Sequence, residues 1–242
     1  MKYRRLNYFC CLFILIFFFG NVLSIEKKVD FPGNVDLVHY DDEKVDFHSK
    51  PVSKSRVSDK VFYVFPGVIV PSIFSALLVE HSEVFYGEDV LDIGTGSGVQ
   101  GIFAADYARR VISTDLSALS VENARLNVKL HNLEGIVEVR HGDLFKPIKT
   151  DEKFDVIFFN IDSPYNERTQ GLWLVHERFF EEVERYLKPN GRIYYQSGRM
   201  ENIPHVHSMV IKNNLRIMKM NMVAAIKQHR EPIVMLIQRE DK

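Results

Sequence analysis

The segment Val90-Leu-Asp-Ile-Gly-Thr-Gly-Ser-Gly98 constrains this chain more than any other. An apolar run enters a turn with three glycines in five positions, and a helical pattern starts directly after it. Glycine removes the Cβ that blocks a tight or left-handed turn, and it lets a ligand lie against the backbone. A strand that leaves such a turn as a helix opens a βαβ unit, and the helix N-terminus favours negative charge. The remainder of the chain must then supply parallel neighbours for this strand and helices to cover both of its faces.

The pattern of the chain meets that demand. Strand-like apolar runs at 61–65, 89–93, 110–114, 136–141, 154–159 and 192–196 alternate with helical patterns at 72–81, 99–109, 118–131, 172–187 and 203–213. Ser72 is placed to cap the first helix, and Lys188-Pro-Asn-Gly191 closes the fourth. Two terminal strands, at 216–223 and 233–238, have no helix between them and are expected as an antiparallel pair. The fold class is α/β, a doubly wound and mostly parallel sheet. Hydrophobic residues at 46% and charged residues at 26% exclude a disordered chain. A net charge of -1 supplies no basic field for a nucleic acid. The two cysteines, Cys10 and Cys11, are adjacent, which excludes a disulfide framework and a cysteine zinc site. His205, His207 and His229 lack a third ligand at metal spacing, so no metal is expected.

Charge divides the chain near residue 25. Residues 1–25 hold Lys2, Arg4 and Arg5 and no acid, leaving 28 Lys+Arg against 32 Asp+Glu in the body. Residues 6–25 are free of charge, and about 20 apolar residues suffice to cross a bilayer. The expectation is an N-terminal hydrophobic helix serving as a single-pass membrane anchor, with the body on the non-cytoplasmic side. The alternative is a signal peptide cleaved before Ile25, giving a secreted or luminal body. An upstream misassignment of the start would instead leave the protein in the cytoplasm. Residues 26–58 read as a polar, irregular linker, and residues 59–242 as the folded domain.

Two acids follow the glycine turn at informative positions. Asp115 ends the next strand, 21 residues after Gly94, where a carboxylate can accept hydrogen bonds from ribose hydroxyls. Asp143 follows the third strand, where it can meet an adenine amine. With Asp92-Ile-Gly-Thr-Gly-Ser-Gly98, Asp115, Gly142-Asp143, the strand at 154–160 and Leu187-Lys-Pro-Asn-Gly191, the chain resembles class I S-adenosylmethionine-dependent methyltransferases over residues 61–240. The resemblance implies seven strands in the order 3-2-1-4-5-7-6, with strand 7 antiparallel, and S-adenosyl-L-methionine as cofactor. It assigns Asp92, Gly94, Thr95, Gly96 and Gly98 to the methionine end of the cofactor, Asp115 to the ribose and Asp143 to the adenine. Leu116, Leu144 and Asn160 complete that set. An NAD(P)-dependent reductase is the competing reading, but Asp92 and the spacing of the third glycine depart from the dinucleotide fingerprint.

The acceptor loop follows the fourth strand as Asn160-Ile-Asp-Ser-Pro-Tyr165. It is similar to the Asn-Pro-Pro-Tyr loop of family members that methylate planar nitrogens of protein glutamine or of nucleobases. An Asn oxygen and a backbone carbonyl can accept both N–H bonds of an amide and aim its nitrogen. Asn160, Asp162, Pro164 and Tyr165 are therefore the candidate catalytic residues, with Ile161 and Asp162 replacing the two prolines. Phe65-Pro-Gly-Val68 and Glu231-Pro-Ile-Val234 resemble flanking segments of the same small-domain enzymes. The mixed charge of residues 26–58 is that of a solvated linker, not of an RNA-binding arm. The expected partners are a protein or RNA methyl acceptor and, through residues 6–25, a membrane; the expected state is a monomer. A tethered domain that binds the cofactor without catalysis is the alternative function.

Overall fold

The computed structural model describes residues 24–25, 38–47, 50–222 and 231–240. They form, in chain order, β1 (Ser24–Ile25), β2 (Val38–Phe47), β3 (Lys50–Val57), β4 (Lys60–Val64), α1 (Ile73–Glu80), β5 (Asp89–Ile93), α2 (Val99–Ala104), β6 (Arg110–Asp115), α3 (Ala118–Leu130), β7 (Val137–His141) and β8 (Phe154–Phe159). There follow α4 (Trp173–Val183), β9 (Leu187–Ser197), α5 (Ile203–Lys212), β10 (Leu215–Met222) and β11 (Ile233–Arg239). The large sheet has the order β1-β10-β11-β9-β8-β5-β6-β7. From β5 to β11 it is a seven-stranded α/β sheet in which β11 alone runs antiparallel to its neighbours.

Side-chain alternation along the strands sorts the core into two layers. Leu91, Ile93, Ile157, Phe159, Ile193 and Tyr195 face α4 and α5, which contribute Phe179, Phe180, Val206 and Val210. Val90, Val111, Val156, Phe158 and Tyr194 face the other way, against Leu77 of α1, Ile102 of α2 and Ala124 of α3. Both faces of the sheet are thus covered, which is why its central strands read as continuous apolar runs.

Four expectations need correction. No helix among the described residues is long and apolar enough to cross a membrane. The last two residues of the expected span, Ser24 and Ile25, are instead paired in parallel with Lys219 and Met220 of β10. The membrane anchor and its localisation are therefore not supported, and the rest of the expected hydrophobic helix lies outside the described residues. Second, residues 38–57 are not irregular: β2, β3 and β4 form an antiparallel three-stranded sheet. The alternation in β3 was obscured because a serine, Ser55, occupies a fully buried position between Ser53 and Val57. Third, the helix expected at 99–109 ends at Ala104. The Gly87 N–H bonds to the Tyr107 carbonyl and the Arg109 N–H to the Glu88 carbonyl, turning the chain back towards the start of β5. The helix expected at 172–187 also stops early, at Val183, and β9 begins at Leu187.

The small sheet is fastened to the large one by amides on α3. Asn123 Oδ1 accepts the Phe65 N–H and Asn127 Oδ1 the Tyr63 N–H, each at 2.9 Å. Both amide Nδ2 groups donate to the Tyr63 carbonyl, at 2.7 and 2.9 Å. Asn127 Nδ2 also donates to the Ser97 carbonyl of the glycine turn at 2.8 Å. One turn further along, His131 Nε2 donates to the Val61 carbonyl at 2.8 Å. Residues four apart share one helix face, so Asn123, Asn127 and His131 satisfy backbone groups of 61–65 that have no strand partner on that side. Asn127→Ala strands the Tyr63 N–H and the Ser97 carbonyl, while Asn123 still serves the Tyr63 carbonyl, and is expected to cost about 2 kcal/mol. Urea unfolding of the variant checks this; a loss below about 0.5 kcal/mol would contradict it.

Candidate functional site

The sheet changes direction at β5: the chain proceeds through β6 and β7 on one side and through β8 and β9 on the other. Ligands of such sheets bind beyond the carboxyl ends of the strands at this switch. Register aligns those ends. Ile93 pairs with Thr114 and with Phe159, and Phe159 pairs with Tyr195. The next residues, Asp115, Gly94, Asn160 and Gln196, therefore form a row across β6, β5, β8 and β9.

The glycine turn is held from two sides. Gly94 and Thr95 donate to the Thr114 carbonyl at 2.9 and 3.0 Å. Asp115 Oδ2 accepts the Gly96 N–H at 2.9 Å, and its Oδ1 accepts the Ser117 N–H at 2.8 Å. Beneath the turn lies Asp92, whose Oδ2 accepts from Thr95 Oγ1 at 2.5 Å and from the Gly101 N–H at 3.2 Å. Burial pushes the Asp92 carboxyl up to about 6, against those hydrogen bonds. Gly94, Gly96 and Gly98 all take positive φ, which a side chain would strain. A Cβ at Gly94 would sit 2.6 Å from Ile161 Cγ1, so the glycine turn and the acceptor loop touch. Above Gly96 the space is open.

These features fit S-adenosyl-L-methionine. Asp92 Oδ1 is buried without a hydrogen-bond partner among the described residues, as a carboxylate awaiting an ammonium would be. Asp115 retains lone pairs beyond its two backbone bonds for a ribose diol. Asp143 Oδ2 is paired with Arg178 at 2.7 Å and with Lys146 at 3.0 Å. Those cations, Arg178 first, hold its carboxyl below the usual range. Leu116 is exposed at the row's edge, whereas Leu144 is buried in the core at φ +49°.

Beside this turn the acceptor loop lines a cleft of about 360 Å³, mouth included. Asn160, Asp162 and Tyr165 line it with Ile161, Ser163, Phe74, Gln196, Gly198 and Arg199. Pro164 is buried behind the wall, where its carbonyl accepts from Asn202 Nδ2 at 3.0 Å. The same Nδ2 donates to Ser163 Oγ at 3.1 Å. A second brace comes from His176, which sequence reasoning missed. A carbonyl can only accept, so His176 Nε2 carries the proton and donates to the Asp162 carbonyl at 3.1 Å. Nδ1 then accepts the Tyr195 hydroxyl proton at 2.6 Å. Burial lowers the His176 pKa to about 4 and raises that of Tyr195. Phe74, Gln196 and Arg199 were also missed. Gln196 ends an expected strand, so the carboxyl-end rule that selected Asn160 could have selected it. Among the described residues no cluster of His, Cys, Asp and Glu could hold a metal ion.

Residues 72–225 match the methyltransferase small domain family. The chain belongs to that family. Its methyltransferase class and its cofactor, S-adenosyl-L-methionine, are thereby shown, and the reductase reading falls. The chain is 33% identical over 173 residues to protein arginine N-methyltransferase PRMT10 of Arabidopsis thaliana, covering 69% of this chain and 39% of that one. It is 36% identical over 168 residues to release factor glutamine methyltransferase of Clostridium acetobutylicum, covering 58% of each. The chain thus spans less than two thirds of either relative's length. The fold matches that of a ribosomal protein L11 methylase from Lactobacillus delbrueckii subsp. bulgaricus, with a TM-score of 0.58 at 22% identity over 74% of this chain and 84% of that one.

The brace on the acceptor loop has a pH signature. Between about pH 4 and 6.5 the unfolded chain protonates His176 and the folded chain does not. The unfolded state binds more protons there, so the His176 contribution to stability rises with pH across that window. Asp92, with its raised pKa, contributes the opposite slope below pH 6, so the comparison must be made against a variant. The stability difference between wild type and His176→Phe should grow by about 3 kcal/mol from pH 4 to 6.5. Urea unfolding at a series of pH values reads this, and a pH-independent difference would refute the buried neutral imidazole.

Proposed function

We propose that this methyltransferase transfers a methyl group to the planar nitrogen of a protein carboxamide, of the glutamine type. The observation that carries the reading is the cleft built on Asn160, Asp162 and Tyr165, which abuts the glycine turn through Ile161 and Gly94. When bound, S-adenosyl-L-methionine supplies an electrophilic methyl group. Asp92, Gly94, Thr95, Gly96, Gly98 and Asp115 would hold it, with Leu116 and Asp143 towards its adenine end.

The work of this chain is then orientation. Asn160 Nδ2 is directed at Ser75 Oγ, 3.5 Å away, which leaves its Oδ1 as the acceptor for the amide N–H. Held this way, the acceptor nitrogen would face that methyl group, and once methylated it must shed a proton. Asp162 is the carboxylate on the cleft wall that can take it. Tyr165 and Phe74 flank a planar group, with dispersion contacts suited to an amide. Aligning donor and acceptor in this way is a large part of what a displacement without covalent intermediates requires.

A protein acceptor is favoured over an RNA base on charge. The chain is at -1 overall, whereas phosphate recognition draws on clustered Lys and Arg. The names of the relatives point the same way: an arginine, a release factor glutamine and a ribosomal protein are their acceptors. The test is transfer of radioactive methyl from S-adenosyl-L-methionine into a cell lysate. Label is expected in protease-sensitive, nuclease-resistant material, with kcat falling by about 100-fold in Asn160→Ala. Label confined to RNA, or undiminished in the variant, would overturn the assignment. Absence of any transfer by a chain that binds the cofactor would identify a binding protein instead.

A further inference from the structure

Two cleft residues outside the acceptor loop carry unmet polar atoms of opposite sense. Gln196, the penultimate residue of β9, lies next to Asn160 in the row set by the Phe159–Tyr195 pair. It is 3% exposed and lines the cleft. Its Nε2 donates to the Ser197 carbonyl at 3.0 Å, which can only accept, so the amide orientation is determined. Its Oε1 is left buried with no hydrogen-bond partner. Arg199, three residues on, lines the same cleft. Its Nη1 is anchored on Glu201 Oε1 at 2.8 Å, and its Nε is buried with no partner. A buried polar atom without a partner costs roughly 1–3 kcal/mol, and these two belong to neighbouring residues of the same cleft lining.

We propose that Gln196 and Arg199 form a specificity subsite that reads the amide edge of the methyl acceptor. Gln196 Oε1 accepts an N–H, and Arg199 Nε donates to the neighbouring carbonyl oxygen. Their opposite senses match a carboxamide, which offers one donor group and one acceptor on adjacent atoms. They do not match a carboxylate, which offers two acceptors and would leave Gln196 Oε1 facing an oxygen. They do not match an amine or guanidinium either, which would leave Arg199 Nε facing a donor. Asn160 and Asp162 address the reacting nitrogen; Gln196 and Arg199 select the group that carries it. A site built to hydrogen-bond a group rejects analogues lacking that group more strongly than an apolar pocket does. This inference rests on the proposal that the acceptor is a protein carboxamide nitrogen.

The experiment uses the full chain with saturating labelled S-adenosyl-L-methionine and two matched peptide libraries. One library displays a central glutamine, the other a central glutamate, in otherwise identical random sequence. Gln196→Met keeps the side-chain length without an acceptor, and Arg199→Lys keeps the charge without Nε. Each should raise KM for the glutamine library about tenfold. Each should leave the Kd for S-adenosyl-L-methionine, read by calorimetry, within about twofold of wild type. A merely structural role would disturb cofactor affinity and the thermal midpoint together. Wild-type transfer to glutamine peptides with unchanged KM in both folded variants overturns the subsite alone. Wild-type transfer to glutamate peptides as readily as to glutamine overturns it too. Wild-type failure on both libraries while RNA is labelled overturns the carboxamide reading and the subsite with it.

Discussion

The Asp115 carboxylate is the point on which the site depends. One oxygen accepts the Gly96 N–H of the glycine turn, and the other accepts the Ser117 N–H at the start of α3. A single side chain therefore ties the turn after β5 to the end of β6 and to the helix that follows. Asp92 grips the same turn from below through Thr95 and Gly101. A turn with three positive-φ glycines loses much chain entropy on ordering. The two carboxylates, with the Asn127 bond to the Ser97 carbonyl, supply the directed contacts that hold it open to a ligand.

From that turn the remainder of the site follows by register. Pairing of β5 with β8 and of β8 with β9 brings Asn160 and Gln196 alongside Gly94 without a long-range search by any loop. What the register cannot do is hold the loop after Asn160, which has no strand neighbour. His176 from α4 and Asn202 from the start of α5 do this, each by bonding a backbone carbonyl of the loop. The two helices on one face of the sheet thus build the core and fix the wall of the cleft, so packing and the candidate site share the same elements.

The alternation of strands and helices and the glycine turn with its acids were legible in sequence, because they are local patterns with fixed spacing. The same holds for the acceptor loop, found by its place after a strand. The pairing of Asp143 with Arg178 was not legible, since the partners are 35 residues apart and lie on different elements. The amide ladder on α3 was hidden for the same reason: Asn123 and Asn127 act on backbone some 60 residues upstream. At the end of the charge-free run, hydropathy measures a segment in isolation, while the strand pairing of Ser24 and Ile25 depends on β10, far along the chain. Gln196 and Arg199 escaped because a polar residue at a strand end reveals its unmet atom only once its neighbours are in place.

If the turn gripped by Asp115 is the cofactor site, the affinity for S-adenosyl-L-methionine depends on that carboxylate. Calorimetric titration of the full chain with S-adenosyl-L-methionine, with NAD as control, reads this dependence. Saturable binding of S-adenosyl-L-methionine alone is expected, weakened at least about thirtyfold in an Asp115→Ala variant whose thermal midpoint shows it folded. Saturable binding of NAD instead, or an affinity for S-adenosyl-L-methionine that is unchanged in the variant, would contradict it.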